Sequence, residues 1–143
     1  MSYEQVCDII DQFASIGGLH VTLSGGEVFL HKDILRIIQY CRKKDMEICI
    51  LSNLISLKEI QIPFIKSANV SYIQASLYSM VPEIHDGITT IKGSQAKTKS
   101  AIEKLVAADI PVQISCPLMK ANKDGYADVL KYAQSLQIKA FSD

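Results

Sequence analysis

Five times along this chain a stretch with apolar residues at helical spacing gives way to a short apolar run, and that alternation restricts the fold more than any other feature. Val6, Ile9, Ile10, Phe13 and Ile16 form the first helical stripe over residues 3–16, and Gly17-Gly18 supplies its stop. Residues 19–23 then read as a strand. Ile34, Ile37, Ile38 and Cys41 mark a second helix, closed by Arg42-Lys43-Lys44, cations that suit a helix C-terminus. A second strand is expected over residues 47–51. Ser56-Leu57-Lys58-Glu59 has the spacing of a capping box and opens a short third helix, which Pro63 is expected to cut or bend. Residues 70–77 form a third strand. The connection over 78–93 is longer than strand-to-helix loops usually are, a length that goes with function or mobility. Ser94 is placed to cap a fourth helix carrying Ala101, Ile102, Leu105 and Val106, ahead of a strand over 110–116. Asn122 and Asp124 introduce a fifth helix with Tyr126, Val129, Leu130, Ala133 and Leu136 on one face, and residues 138–141 read as a fifth strand.

The order αβαβαβαβαβ calls for an α/β fold with a mostly parallel sheet and right-handed crossovers. At 143 residues, 48% of them apolar, the chain fits one domain over 1–143. It opens on a helix with no strand before it and ends on a strand that no helix covers, so it is expected to be a fragment of a larger unit. Fifteen basic and fifteen acidic residues cancel, which leaves no field for gathering nucleic acid. No stretch is apolar for the roughly 18 residues of a membrane helix, no signal peptide is evident, and a cytoplasmic location is expected.

The chemistry is concentrated where the first strand ends. Ser24-Gly25-Gly26-Glu27 follows an apolar run and precedes a helix, so Glu27 falls at the carboxyl end of the sheet, where α/β folds bind ligands. Two residues without Cβ let the backbone turn through positive φ and let a small molecule approach its carbonyls. The carboxylate suits a compact ammonium with three donors, such as an α-amino group. The alternative is a tight βα turn whose glutamate stabilises the next helix start.

The remaining reactive residues read mainly as structure. Cys7, Cys41, Cys49 and Cys116 lack the short spacings of a zinc or iron–sulfur loop, and the first three read as small buried hydrophobes. Cys116 closes a strand where it can face a pocket. His20 reads as a core histidine and His31 as a solvated one, and His85-Asp86 as a pair that pins the long connection. Tyr72 is expected in the core and Tyr78 at the pocket mouth.

The succession of Leu23-Ser24-Gly25-Gly26-Glu27, Leu51-Ser52-Asn53, Ser76-Leu77, His85-Asp86, Lys92-Gly93-Ser94 and Asn122 resembles the radical S-adenosylmethionine superfamily, in the branch of sulfatase-maturating and pyrroloquinoline quinone synthesis enzymes. The resemblance implies a partial (β/α) barrel that holds S-adenosylmethionine and a four-iron four-sulfur (4Fe-4S) cluster at the carboxyl ends of its strands. Ser24, Gly25, Gly26 and Glu27 would then receive the methionyl amino group, Ser52 and Asn53 would line the same mouth, and Ser76 would reach the carboxylate or ribose. It further implies a 5′-deoxyadenosyl radical that takes a hydrogen atom from a peptide or cofactor precursor, and an electron donor such as flavodoxin or ferredoxin. The cofactor carries that chemistry while the protein positions and shields it. The superfamily's Cys-x-x-x-Cys-x-x-Cys loop is missing from the chain, and Gly87 and Thr89 stand where relatives commonly carry arginine. Without the loop, these residues alone are expected to be inactive. Two other functions fit the same order of elements: a barrel segment whose glycines cradle a phosphate, and a silent domain that binds a peptide.

Overall fold

The computed structural model describes residues 1–142, and in it five parallel strands lie in the order β1 to β5: β1 (His20–Leu23), β2 (Glu47–Ser52), β3 (Tyr72–Ser76), β4 (Val112–Ser115) and β5 (Lys139–Phe141). Sequential order combined with right-handed crossovers puts every connecting helix on one face, which is how a barrel wall begins, rather than a doubly wound sheet. The helices are α1 (Tyr3–Ser15), α2 (Ile34–Lys43), α3 (Ile62–Ser67), α4 (Pro82–Thr89), α5 (Ser94–Ala107) and α6 (Tyr126–Ser135). Among them α2 packs on β2, α5 on β3 and β4, and α6 on β5. None of the described helices is long and apolar enough to cross a membrane.

Period-two alternation decides what each face carries. Ile48, Ile50, Ile73, Ala75 and Ile114 point to the helices and are fully buried. Each buried isoleucine contributes about 2 kcal/mol through the apolar surface it removes from water. The opposite residues, among them Cys49, Leu51, Tyr72, Gln74, Ser76 and Gln113, are half-buried on a face that no helix covers. His20 belongs to this second face. Since Val21 and Leu23 take the core side of β1, His20 is exposed and pairs through Nδ1 with Glu47 of β2, contrary to the expectation of a core histidine. Tyr72 and Cys49, register partners on that face, are half-buried for the same reason.

The connection over 78–93 contains α4, so it is not a plain loop. Pro82 sits in the first turn of α4, where the missing N–H costs nothing. Pro63 likewise starts α3 rather than cutting it. The expected capping box at Ser56 is not formed; the turn opens two residues later, with Lys58 N donating to Gln61 Oε1 at 2.8 Å.

All five helix-to-strand turns place one residue in the left-handed region: Gly17, Asp45, Asn69, Asp109 and Gln137. Four of them close with a bond from the following amide back to the last helical turn, as in Gly18 N to Phe13 O and Ile138 N to Ala133 O. Only Gly17 adopts this conformation without steric cost. Gln137, exposed at φ 57°, is therefore expected to become a stabilising site on substitution by glycine. The gain should be about 0.5–1 kcal/mol after the extra unfolded-state entropy of glycine is subtracted, read as a higher urea midpoint.

Candidate functional site

Three of the expected site residues meet at the carboxyl ends of β1 and β2. Glu27 is half-buried and turns its carboxylate toward β2. Its Oε1 accepts from Phe29 N at 3.0 Å and from Ser52 Oγ at 2.7 Å, and its Oε2 accepts from Asn53 N at 2.9 Å. The Ser52 hydroxyl also lies 2.9 Å from Oε2, but it has one proton to give. Three protons thus address a group with about four lone-pair positions. One position is left for a further donor.

The loop after β2 is shaped to make this contact. Ser52 is buried, and its oxygen accepts from Leu54 N at 2.8 Å while its proton serves Glu27. Asn53 Oδ1 accepts from Ile55 N at 2.9 Å, which closes a tight side-chain turn. Between them Leu54 lies fully buried at φ 63°, a left-handed conformation that costs a non-glycine residue about 1–2 kcal/mol. Ser52 and Asn53 therefore act on Glu27 from behind.

The two glycines differ in backbone conformation. Gly25 has a positive φ of 158°, which a residue with a Cβ rarely adopts, whereas Gly26 has no positive φ. A Cβ on either would meet nothing within 4 Å. The space beside the backbone there is open, and side chains at these two positions would fill it. A cavity of about 570 Å³ runs from Ser24–Val28 along β1 between α1 and α2, within the size range of small-molecule sites. Ser52, Asn53 and Ser76 do not line it. Ser76 ends β3 on the helix-free face, opposite Ser115 of β4, apart from the Glu27 cluster.

Glu27 also caps the short turn Val28–Leu30 through Phe29 N, so the structural alternative is realised together with the inward orientation.

Behind this rim, buried polar side chains hold the loops. His85 is 1% exposed, and its Nδ1 accepts from Tyr78 N at 3.2 Å, which places its own proton on Nε2. Burial holds its pKa below the ordinary imidazole range, outweighing the opposite pull of Asp86. Asn122 Nδ2 donates to Tyr78 O at 2.9 Å and to Pro117 O at 3.0 Å. Asp86 accepts from the backbone of Gln95 and Gly93 and from Ser94 Oγ; those amides, Gln95 first, hold its carboxyl below the usual range. The cap of α5 is accordingly Asp86, reaching across from α4, and Ser94 is the first helical residue rather than the cap. Cys116 is buried behind Tyr78, with Sγ donating to its carbonyl. Burial raises both its thiol pKa and that of Cys41, the latter to about 11. Cys7 is only half-buried, so of the three cysteines expected in the core Cys41 alone is fully enclosed.

S-adenosylmethionine presents an ammonium, and the open lone pair of Glu27 beside two glycines facing free space fits it. An iron–sulfur cluster does not fit the described residues of this chain. The described residues contain no group of three histidines, cysteines, aspartates or glutamates that would hold a metal ion.

The fold agrees with what known proteins show. The profile of the Radical SAM superfamily matches residues 1–133, and the chain belongs to that superfamily. It is 24% identical over 128 residues to the PqqA peptide cyclase of Methylocella silvestris, covering 90% of this chain and 34% of the cyclase. It is 29% identical over 143 residues to the antilisterial bacteriocin subtilosin biosynthesis protein AlbA of Bacillus subtilis, covering 99% and 32%. The chain thus spans about a third of the length of these curated relatives. Among solved structures, Streptococcus suis SuiB bound to S-adenosylmethionine superposes with a TM-score of 0.83 at 14% identity, over 97% of this chain and 33% of SuiB. SuiB has also been crystallised with its precursor peptide SuiA.

Proposed function

We propose that this chain is the S-adenosylmethionine-binding part of a radical SAM enzyme that modifies a peptide or builds a cofactor. The observation that carries the reading is the Glu27 carboxylate, aimed at the sheet's carboxyl rim with one acceptor position free. In this role Glu27 binds the methionyl ammonium, Ser52 and Asn53 orient Glu27, and Gly25 and Gly26 keep the approach clear. Ser24 flanks that approach, and Ser76, at the rim of β3, is assigned to the carboxylate or ribose. When bound with its cluster, the cofactor supplies one-electron radical chemistry. The thiolates of that cluster belong to a segment outside these 143 residues, and an electron donor such as flavodoxin or ferredoxin serves it. A peptide substrate is favoured by one relative named as a peptide cyclase and by a structural neighbour seen with a precursor peptide.

Phosphate binding is disfavoured by the same geometry. The amides of Phe29 and Asn53, which an anion would need, already point at Glu27, whose charge would repel it. The test is anaerobic iron–sulfur reconstitution of the full-length protein, followed by equilibrium dialysis with S-adenosylmethionine and a search for 5′-deoxyadenosine under reducing conditions. Iron uptake, saturable binding and release of the nucleoside are expected. A full-length protein that takes up no iron would overturn the enzyme reading.

A further inference from the structure

Glu27 is oriented in part by Ser52, whose Oγ accepts from Leu54 N, and the carbonyl of that same peptide unit is held from a distant element. Thr98, on the second turn of α5 and fully buried, donates from Oγ1 to Asn53 O at 2.8 Å. A helical threonine ordinarily turns its hydroxyl back to a carbonyl of its own helix. Here the bond crosses to a loop 45 residues away and stands next to Leu54, whose left-handed backbone persists only where its surroundings hold it. The start of α5 is itself pinned by the Asp86 carboxylate, through Gln95 N at 3.0 Å and Ser94 Oγ at 2.9 Å. One turn before Thr98, Gln95 Nε2 donates to Met80 O at 3.0 Å and ties down the loop after β3.

We propose that Thr98 is a positioning residue of the cofactor site: by holding the Asn53 carbonyl it fixes the planar peptide unit whose N–H, on Leu54, donates to Ser52 Oγ, and through Ser52 the aim of Glu27. This role rests on the proposed S-adenosylmethionine site. Its physical content is preorganisation, since a carboxylate already aimed at the ammonium loses less freedom on binding than one that must be ordered.

The test compares Thr98→Val, which keeps the shape and removes the hydroxyl, with Thr98→Ser, which restores it, in the full-length protein. Dialysis should show S-adenosylmethionine affinity reduced roughly tenfold in the valine variant and within about threefold of the parent in the serine variant. Hydrogen exchange at the Leu54 amide, followed without cofactor, should be faster in Thr98→Val and near the parent rate in Thr98→Ser. If the valine variant does not fold, Thr98→Ala takes its place in both measurements. Parent-like affinity and exchange in Thr98→Val would overturn the proposal, and so would a serine variant as impaired as the valine one. A parent protein that does not bind the cofactor would instead sink the functional reading, and the exchange comparison would still decide whether Thr98 orders the Asn53–Leu54 peptide unit.

Discussion

Replacement of Glu27 by glutamine should lower the affinity of the full-length protein for S-adenosylmethionine about a hundredfold, measured by equilibrium dialysis. Two effects act in the same direction. The charge that would meet the methionyl ammonium disappears, and a charge-assisted bond becomes a neutral one. The amide also cannot satisfy the pocket that held the carboxylate, since Oε1 faces Phe29 N and Oε2 faces Asn53 N, both donors. Whichever way it turns, its NH2 group opposes an N–H. Glu27→Asp keeps the charge but retracts it by one methylene from Ser52 and Asn53, and should fall between the two. Parent-like affinity in Glu27→Gln would remove Glu27 from the binding site.

Much of the fold could be read from periodicity because the helices that cover the sheet carry apolar stripes long enough to show. Ile34, Ile37, Ile38 and Cys41 bury one face of α2, and Ala101, Ile102 and Leu105 do the same for α5. The fourth helix of the chain escaped notice for the opposite reason. Over its eight residues, from Pro82 through Thr89, only His85 is buried, and what fixes it is polar: His85 on Tyr78 N, and Asp86 on the start of α5. A reading that looks for apolar spacing has nothing to find there. His20 was misplaced because a five-residue apolar run does not say which of its alternate residues faces the helices. The partnership that places it, with Glu47 across β1 and β2, is long-range.

At the site, the double glycine and the glutamate were legible as a motif at a strand end, but the way Glu27 is held was not. Ser52 could be named from its place after β2, whereas its two simultaneous bonds depend on the left-handed Leu54, which no local preference of leucine suggests. Thr98 left a fainter trace. It falls on the same stripe as Ala101, Ile102 and Leu105, and a polar residue on an apolar stripe is a residue with a partner elsewhere.

Asn122 is the side chain whose loss should cost the fold most. It is 1% exposed, accepts from Met119 N at 2.7 Å, and donates to Tyr78 O and Pro117 O. Asn122→Leu takes the acceptor from Met119 N and one donor from each of two carbonyls, so a loss of about 3 kcal/mol is expected in denaturant unfolding. Asn122→Asp separates this hydrogen-bonding account from simple packing. The aspartate has nearly the same shape and keeps an acceptor for Met119 N, but its second oxygen faces two carbonyls, and only its protonated form can donate to one of them. Burial and those carbonyls both disfavour the anion, so the folded-state pKa of the new carboxyl lies above its unfolded value of about 3.9. The sign then follows from linkage: the variant is nearest to the parent below the unfolded pKa, and its deficit grows as pH rises through the folded pKa, because the unfolded chain gives up the proton first. Stability of Asn122→Asp relative to the parent, followed from acid to neutral pH, should therefore decline, while that of Asn122→Leu should stay level. A level profile for the aspartate variant would mean that water reaches this loop and that the rim is not held by buried polar contacts.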